Sequence, residues 1–168
     1  MTIKHTLIDQ IKDFIISIGL KVEEGDIPDS TFVPGIHILN GTIWFDRSKL
    51  TYPGDLLHEA GHLALMKPEK RPLATGDLEP GDGKRLNKDS LEIGVILWTY
   101  AALLHLKLDP KVVFHEAGYR GSSDWFIEMF SSGNYMGLPL LQWMDLCKGK
   151  FTGQDVPDFP YMIKWVRE

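Results

Sequence analysis

The sequence predicts an α+β domain, mainly helical, with a small antiparallel sheet beside one short central helix. Three observations lead there. Apolar residues recur at helical spacing in several segments, and Asn40-Gly41 falls between two runs of β-formers. No repeat, low-complexity tract or linker divides the 168 residues, and 43% hydrophobic content is enough for one core. The whole chain, 1–168, is therefore expected to form a single domain.

Each element has a local reason. Leu7, Ile8, Ile11, Phe14, Ile15 and Ile18 share one helical face, and Gly19 closes that helix. Gly35 to Asp46 reads as a hairpin, with strands Ile36-His37-Ile38-Leu39 and Thr42-Ile43-Trp44-Phe45 about the Asn40-Gly41 turn. His37 is expected to be a solvent-facing strand side chain. Thr51 is placed to cap a helix whose first turn holds Pro53 and which runs from about 54 to about 66, ahead of Pro68. From Lys67 to Lys88 the chain is rich in Pro, Gly and charge, which predicts a long loop suited to a lid or rim. A second long helix follows, capped at Asn87 or Asp89, running through Leu106 and stopped by Asp109-Pro110. Short helical segments at 110–117, 123–131, 138–147 and 158–167 complete the prediction.

Charge and cysteine content narrow the function classes. The net charge is −5, and the Lys and Arg are scattered rather than gathered in a stripe, so nucleic acid is not an expected partner. Cys147 is the sole cysteine, which excludes an intramolecular disulfide and a cysteine-rich metal site; it is expected to be a small buried apolar residue. Asp9, Lys12 and Asp13 interrupt the apolar residues of the first twenty, unlike an export signal. The apolar run Ile93 to Leu104 is too short to span a bilayer. A soluble cytoplasmic protein with no membrane partner is the expectation.

The central helix carries His58-Glu59-Ala60-Gly61-His62, an HExxH arrangement. Residues four apart lie one above the other on a helix, so His58 and His62 can direct their imidazoles at one ion. Glu59 sits a step round, near a water held by that ion. Metal-assisted hydrolysis needs this set: two neutral nitrogen ligands, an open coordination position and a carboxylate to take the water's proton. Asp55, in the first turn, complements the helix dipole, with a supporting role behind a ligand as the alternative.

A catalytic zinc usually takes three protein ligands. A third His at the end of HExxHxxGxxH is absent, because Leu65 and Pro68 occupy those places. Glu92 is the best candidate: it is the only acidic residue of the predicted 90–106 helix, in its first turn, and apolar residues surround it. A carboxylate there is costly to bury without a cationic partner. His105, His115, Glu116 and Glu128 are the competitors. His105 lies on roughly the opposite face of the helix from Glu92. The stretch His115-Glu116-Ala117-Gly118-Tyr119-Arg120 echoes the motif but has Tyr119 where a second His would stand. Instead it gathers His115, Tyr119 and Arg120, groups able to steady an oxyanion opposite a metal. His115 and Tyr119 are accordingly the catalytic candidates beside Glu59, with packing as the simpler alternative for each.

With the motif and Glu92 on the page, a resemblance follows. HExxH and a helical Glu about thirty residues later look like the gluzincin arrangement. Leu56-Leu57-His58-Glu59-Ala60-Gly61-His62-Leu63-Ala64-Leu65, then Glu92 with Trp98 six positions on, is similar to the ImmA/IrrE-type zinc peptidases of bacteria and phage. The resemblance covers about 36 to 106. It implies a zincin-like metallopeptidase domain, Zn²⁺ held by His58, His62 and Glu92, Glu59 as general base, and a peptide or protein substrate. In that family an edge strand precedes the HExxH helix, matching 42–46 here. Thr42 to Phe45 would then offer backbone partners to an extended substrate. Thr99-Tyr100-Ala101-Ala102 departs from the small residues and proline-terminated end usual after the family's Trp. Residues beyond 107 have no counterpart, and without a helix-turn-helix gene-regulatory proteolysis is not implied. Two other readings stand beside the enzyme: a zinc-binding scaffold or interaction protein without catalysis, and a metal-free remnant whose histidines merely pack.

Overall fold

The computed structural model describes residues 3–76 and 85–168, with side chains from 6–76 and 91–168. Helix α1 (Ile3–Ser17) buries Ile8, Ile11, Phe14 and Ile15, the stripe its spacing predicts. Gly19, at φ +87°, ends it, with the Leu20 amide donating to the Ile15 carbonyl. Strands β1 (Lys21–Glu24), β2 (Ile36–Leu39) and β3 (Thr42–Phe45) follow. Asn40 and Gly41 both take positive φ, as a tight hairpin between β2 and β3 requires, and Ile36 pairs with Phe45 and Ile38 with Ile43.

The sheet is mixed, in the order β1-β3-β2, where a purely antiparallel pair was expected. β1 pairs parallel to β3, Val22 opposite Ile43. It escapes a reading by alternation because Val22 is its only apolar residue; the core burial of Leu20 and Val22 draws it in. β3 is therefore the central strand, both of its edges are occupied, and strand addition to Thr42–Phe45 is ruled out. The outer side of β2 is also engaged: Gly41 donates to the Ala74 carbonyl, Gly76 to the Ile38 carbonyl, and the Asn40 amide to Thr75 Oγ1. The first part of the expected 67–88 loop is thus fixed, including a 3₁₀ turn at Arg71–Leu73. Residues 77–84, where a lid was expected, lie outside the described residues.

Helix α2 (Gly54–Leu65) carries the motif and buries Leu56, Leu57, Ala60, Leu63, Ala64 and Leu65. Thr51 does not cap it; Pro53 holds the cap position at φ −57°, and no side chain bonds the free amides. Its far end is well satisfied. Arg71 donates to the Leu63 and Met66 carbonyls, and the Arg167 amide donates to that of Ala64. Arg71 also donates to the Arg167 carbonyl, so one guanidinium ties the helix end to the end of the chain.

Helix α3 (Arg85–His105) starts before the expected caps at Asn87 or Asp89, so Glu92 lies two turns inside it rather than in its first turn. α2 and α3 pack at close range about Gly61. A Cβ built there would stand 3.0 Å from both Trp98 and Val95 and 3.3 Å from Thr99 Oγ1. Trp98 is fully buried, and its indole N–H donates to the Trp165 carbonyl.

The remainder is less helical than expected. Of 110–117 only a 3₁₀ turn at Pro110–Val112 forms, with the Asp109 carboxylate accepting from the Lys111 amide. Helix α4 (Ser123–Ser131) matches its expected bounds, and helix α5 (Leu138–Trp143) is shorter than 138–147. The 158–167 helix is absent: a bridge joins Cys147 to Met162 and the segment runs irregularly. Its apolar residues act as plugs instead, with the Trp165 ring edge-on to Phe14 and Trp98. Cys147 is buried, as anticipated. Buried residues from every helix and strand join in one core, and no described helix is long and apolar enough to cross a membrane.

Alanine is the better helix former, but Gly61→Ala must push Trp98 or Val95 aside. The variant is expected to lose about 1–2 kcal/mol of stability in urea unfolding, overpacking outweighing propensity. A stabilised variant would show that α2 and α3 separate freely.

Candidate metal centre

Asp55, His58, Glu59 and His62 fall on one side of α2 by their spacing of three, four and seven. His58 and His62 bring their Nε2 atoms within 3.1 Å, with the rings nearly perpendicular at 82°. From α3 the Glu92 carboxylate reaches both: Oε1 is 3.3 Å from His58 Nε2 and Oε2 is 3.4 Å from His62 Nε2. Exposure grades outward, with the His62 side chain 9% exposed, His58 17% and Glu92 38%. The imidazoles are recessed and the carboxylate stands at the rim, so the group is accessible from solvent. Glu59 is buried and also offers an oxygen here: donor atoms of His58, Glu59 and His62 lie within 4.8 Å of one another, a cluster that could hold a metal ion.

Burial drives the electrostatics of the group. Desolvation, reinforced by charge on neighbouring His58, lowers the His62 pKa to about 3, so this ring is neutral at physiological pH. Burial also pulls His58 down, but the hydrogen bond and charge of Glu92, with Glu59 and Asp55 behind, outweigh it and leave His58 raised. Burial pushes Glu92 up, yet its bond to His58 and the nearby imidazoles hold it below its ordinary value. A protonated His58 and an ionised Glu92 thus favour one another.

The second half of the chain reaches this group from behind. The Tyr119 hydroxyl lies 2.9 Å from His58 Nδ1, the nitrogen facing away from His62 and Glu92. Burial, with nearby carboxylates, raises the Tyr119 pKa well above normal and keeps the phenol neutral. The expectation that Tyr119 faces a reacting oxyanion gives way to this contact behind His58. His115, the other catalytic candidate, bonds Asp55 Oδ1 through Nε2 at 3.1 Å and stacks on Tyr52, centroids 3.6 Å apart and planes 6° off parallel. It joins the start of α2 rather than the pair of rings. Arg120, Glu116, Glu128 and His105 are exposed, and none of their described contacts reaches the histidine pair.

Sequence reasoning assigned neither the Asp55–His115 pair nor the Tyr52 stack. Asp55 stands three residues before His58, a spacing that marks the same helix side but names no distant partner.

Comparison of the chain with family models, curated proteins and solved structures returns no match. Geometry and residue chemistry therefore carry the functional reading.

Cation binding requires neutral imidazoles. His62 is already neutral, so uptake of a divalent ion at a pH below the raised His58 pKa is expected to release about one proton, from His58. Below the raised His58 pKa, affinity should climb by roughly a factor of ten per pH unit, then level off once pH exceeds it. Titration calorimetry in buffers of different ionisation enthalpy measures the released proton. Release of two would place a proton on His62.

Proposed function

We propose that this protein is a zinc-dependent hydrolase, a metallopeptidase of the gluzincin type, with His58, His62 and Glu92 as ligands and Glu59 as general base. The observation that carries the reading is the meeting of Glu92, from a separate helix, with both Nε2 atoms. Ligand atoms of a tetrahedral zinc with bonds of about 2.0–2.1 Å stand roughly 3.3–3.4 Å apart. The two Nε2 atoms stand 3.1 Å apart, and Glu92 lies 3.3 Å from one through Oε1 and 3.4 Å from the other through Oε2, close to that figure. Two neutral imidazole nitrogens and one carboxylate are also the donor types a catalytic zinc accepts.

When bound, the ion supplies Lewis acidity, polarising a substrate carbonyl and making water a nucleophile near neutral pH. The chain's residues do the rest. Glu59 takes the proton of the water whose oxygen adds to the carbonyl carbon, then passes it to the leaving amine as the C–N bond breaks. The graded exposure from His62 to Glu92 leaves an approach from solvent, which favours an open site over a sealed structural one.

Glu59→Gln keeps the size of the side chain and removes the base. The variant is expected to retain one equivalent of zinc while losing at least about 100-fold in peptide hydrolysis. The wild type should lose activity to a chelator and regain it with zinc. Undiminished hydrolysis by the variant removes Glu59 from the mechanism. A zinc-loaded wild type that cleaves no member of a diverse peptide library identifies a non-catalytic scaffold.

A further inference from the structure

The segment 112–123 grips α2 at two points one turn apart. Near the start of the helix, His115 Nε2 bonds Asp55. One turn on, the Tyr119 hydroxyl meets His58 Nδ1. The grip is built with care for space. A Cβ on Gly54 would fall 2.1 Å from the Val112 carbonyl oxygen, so only glycine lets this segment lie so close to the helix. Ser123, buried, donates through Oγ to the His115 carbonyl at 2.6 Å and closes the segment on itself. Between these anchors Tyr119, Arg120 and Gly121 take φ values of 52°, 52° and 80°. Two successive non-glycine residues in the left-handed region cost energy and persist only where surrounding contacts hold them. Here the contacts are the Tyr119 ring against Phe114 and Phe126, at 5.2 and 5.4 Å, and its hydroxyl on His58.

We propose that Tyr119 is a positioning residue for His58, fixing the tautomer and plane of that imidazole so that Nε2 faces His62 and Glu92. This inference rests on the reading of His58 as a zinc ligand. An imidazole that gives its Nε2 lone pair to a metal carries its proton on Nδ1, and Nδ1–H needs an acceptor. The Tyr119 oxygen is that acceptor. The described polar contact of Tyr119 is with the far side of the His58 ring, so it acts through His58 and not on substrate. Partners of this kind change metal affinity by about 10–100-fold when removed.

Tyr119→Phe keeps the ring packing and removes only the hydroxyl. The variant is expected to keep the wild-type circular dichroism without metal but to bind zinc about 10–100-fold more weakly in a competition titration with a chromophoric chelator. In the zinc-loaded wild type, NMR should show a slowly exchanging His58 Nδ1 proton with a nuclear Overhauser contact to the Tyr119 ring. Unchanged affinity in the variant overturns the proposal. If the variant fails to fold, the wild-type spectrum decides alone: a His58 Nδ1 proton in fast exchange, without that contact, overturns it too. A wild type that binds no zinc instead refutes the metal reading, and is thereby distinguished from a fault in the role of Tyr119.

Discussion

The close approach of α2 and α3 at Gly61 is the constraint on which the site depends. Glu92 meets the two histidines only because the helices pack with Trp98 and Val95 against a residue that has no side chain. One more methyl group at that point would force the helices or the Trp98 ring to move, and interiors at native density give little. The glycine inside the HExxH motif is therefore part of the packing, while His58, Glu59 and His62 present the polar groups.

Bringing two imidazoles and a carboxylate together away from bulk water is costly unless their charges balance. The balance here is local. Burial empties His62 of its proton, whereas the Glu92 carboxylate favours one on His58. A cation entering this group meets a ligand already neutral and a carboxylate already ionised.

Around this centre segments far along the chain, together with Arg71, hold α2. Arg71 and the Arg167 amide satisfy carbonyls at one end of the helix, and the 112–123 segment lies across the other. Trp165 wedges beside Trp98 and takes its indole N–H, which locks α3 to the end of the chain. A helix clamped at both ends is a rigid base for groups that must hold their relative geometry to within a fraction of an ångström.

By itself the sequence determined whatever rests on contacts near in the chain. The apolar stripe of α1, the Asn40-Gly41 hairpin, the extent of α2 and the pairing of His58 with His62 all follow from backbone periodicity and turn chemistry. Glu92 was singled out as the lone acid among the apolar residues of its helix, although the structure leaves it at the rim and not buried. Tertiary structure alone decided the parallel docking of β1, which moved β3 to the centre of the sheet. It also turned 158–167 into a set of plugs and set Tyr119 behind His58 rather than before a substrate. Those outcomes depend on which distant surfaces meet, and a strand with one apolar residue or a tyrosine in a left-handed turn carries no local sign of its partner.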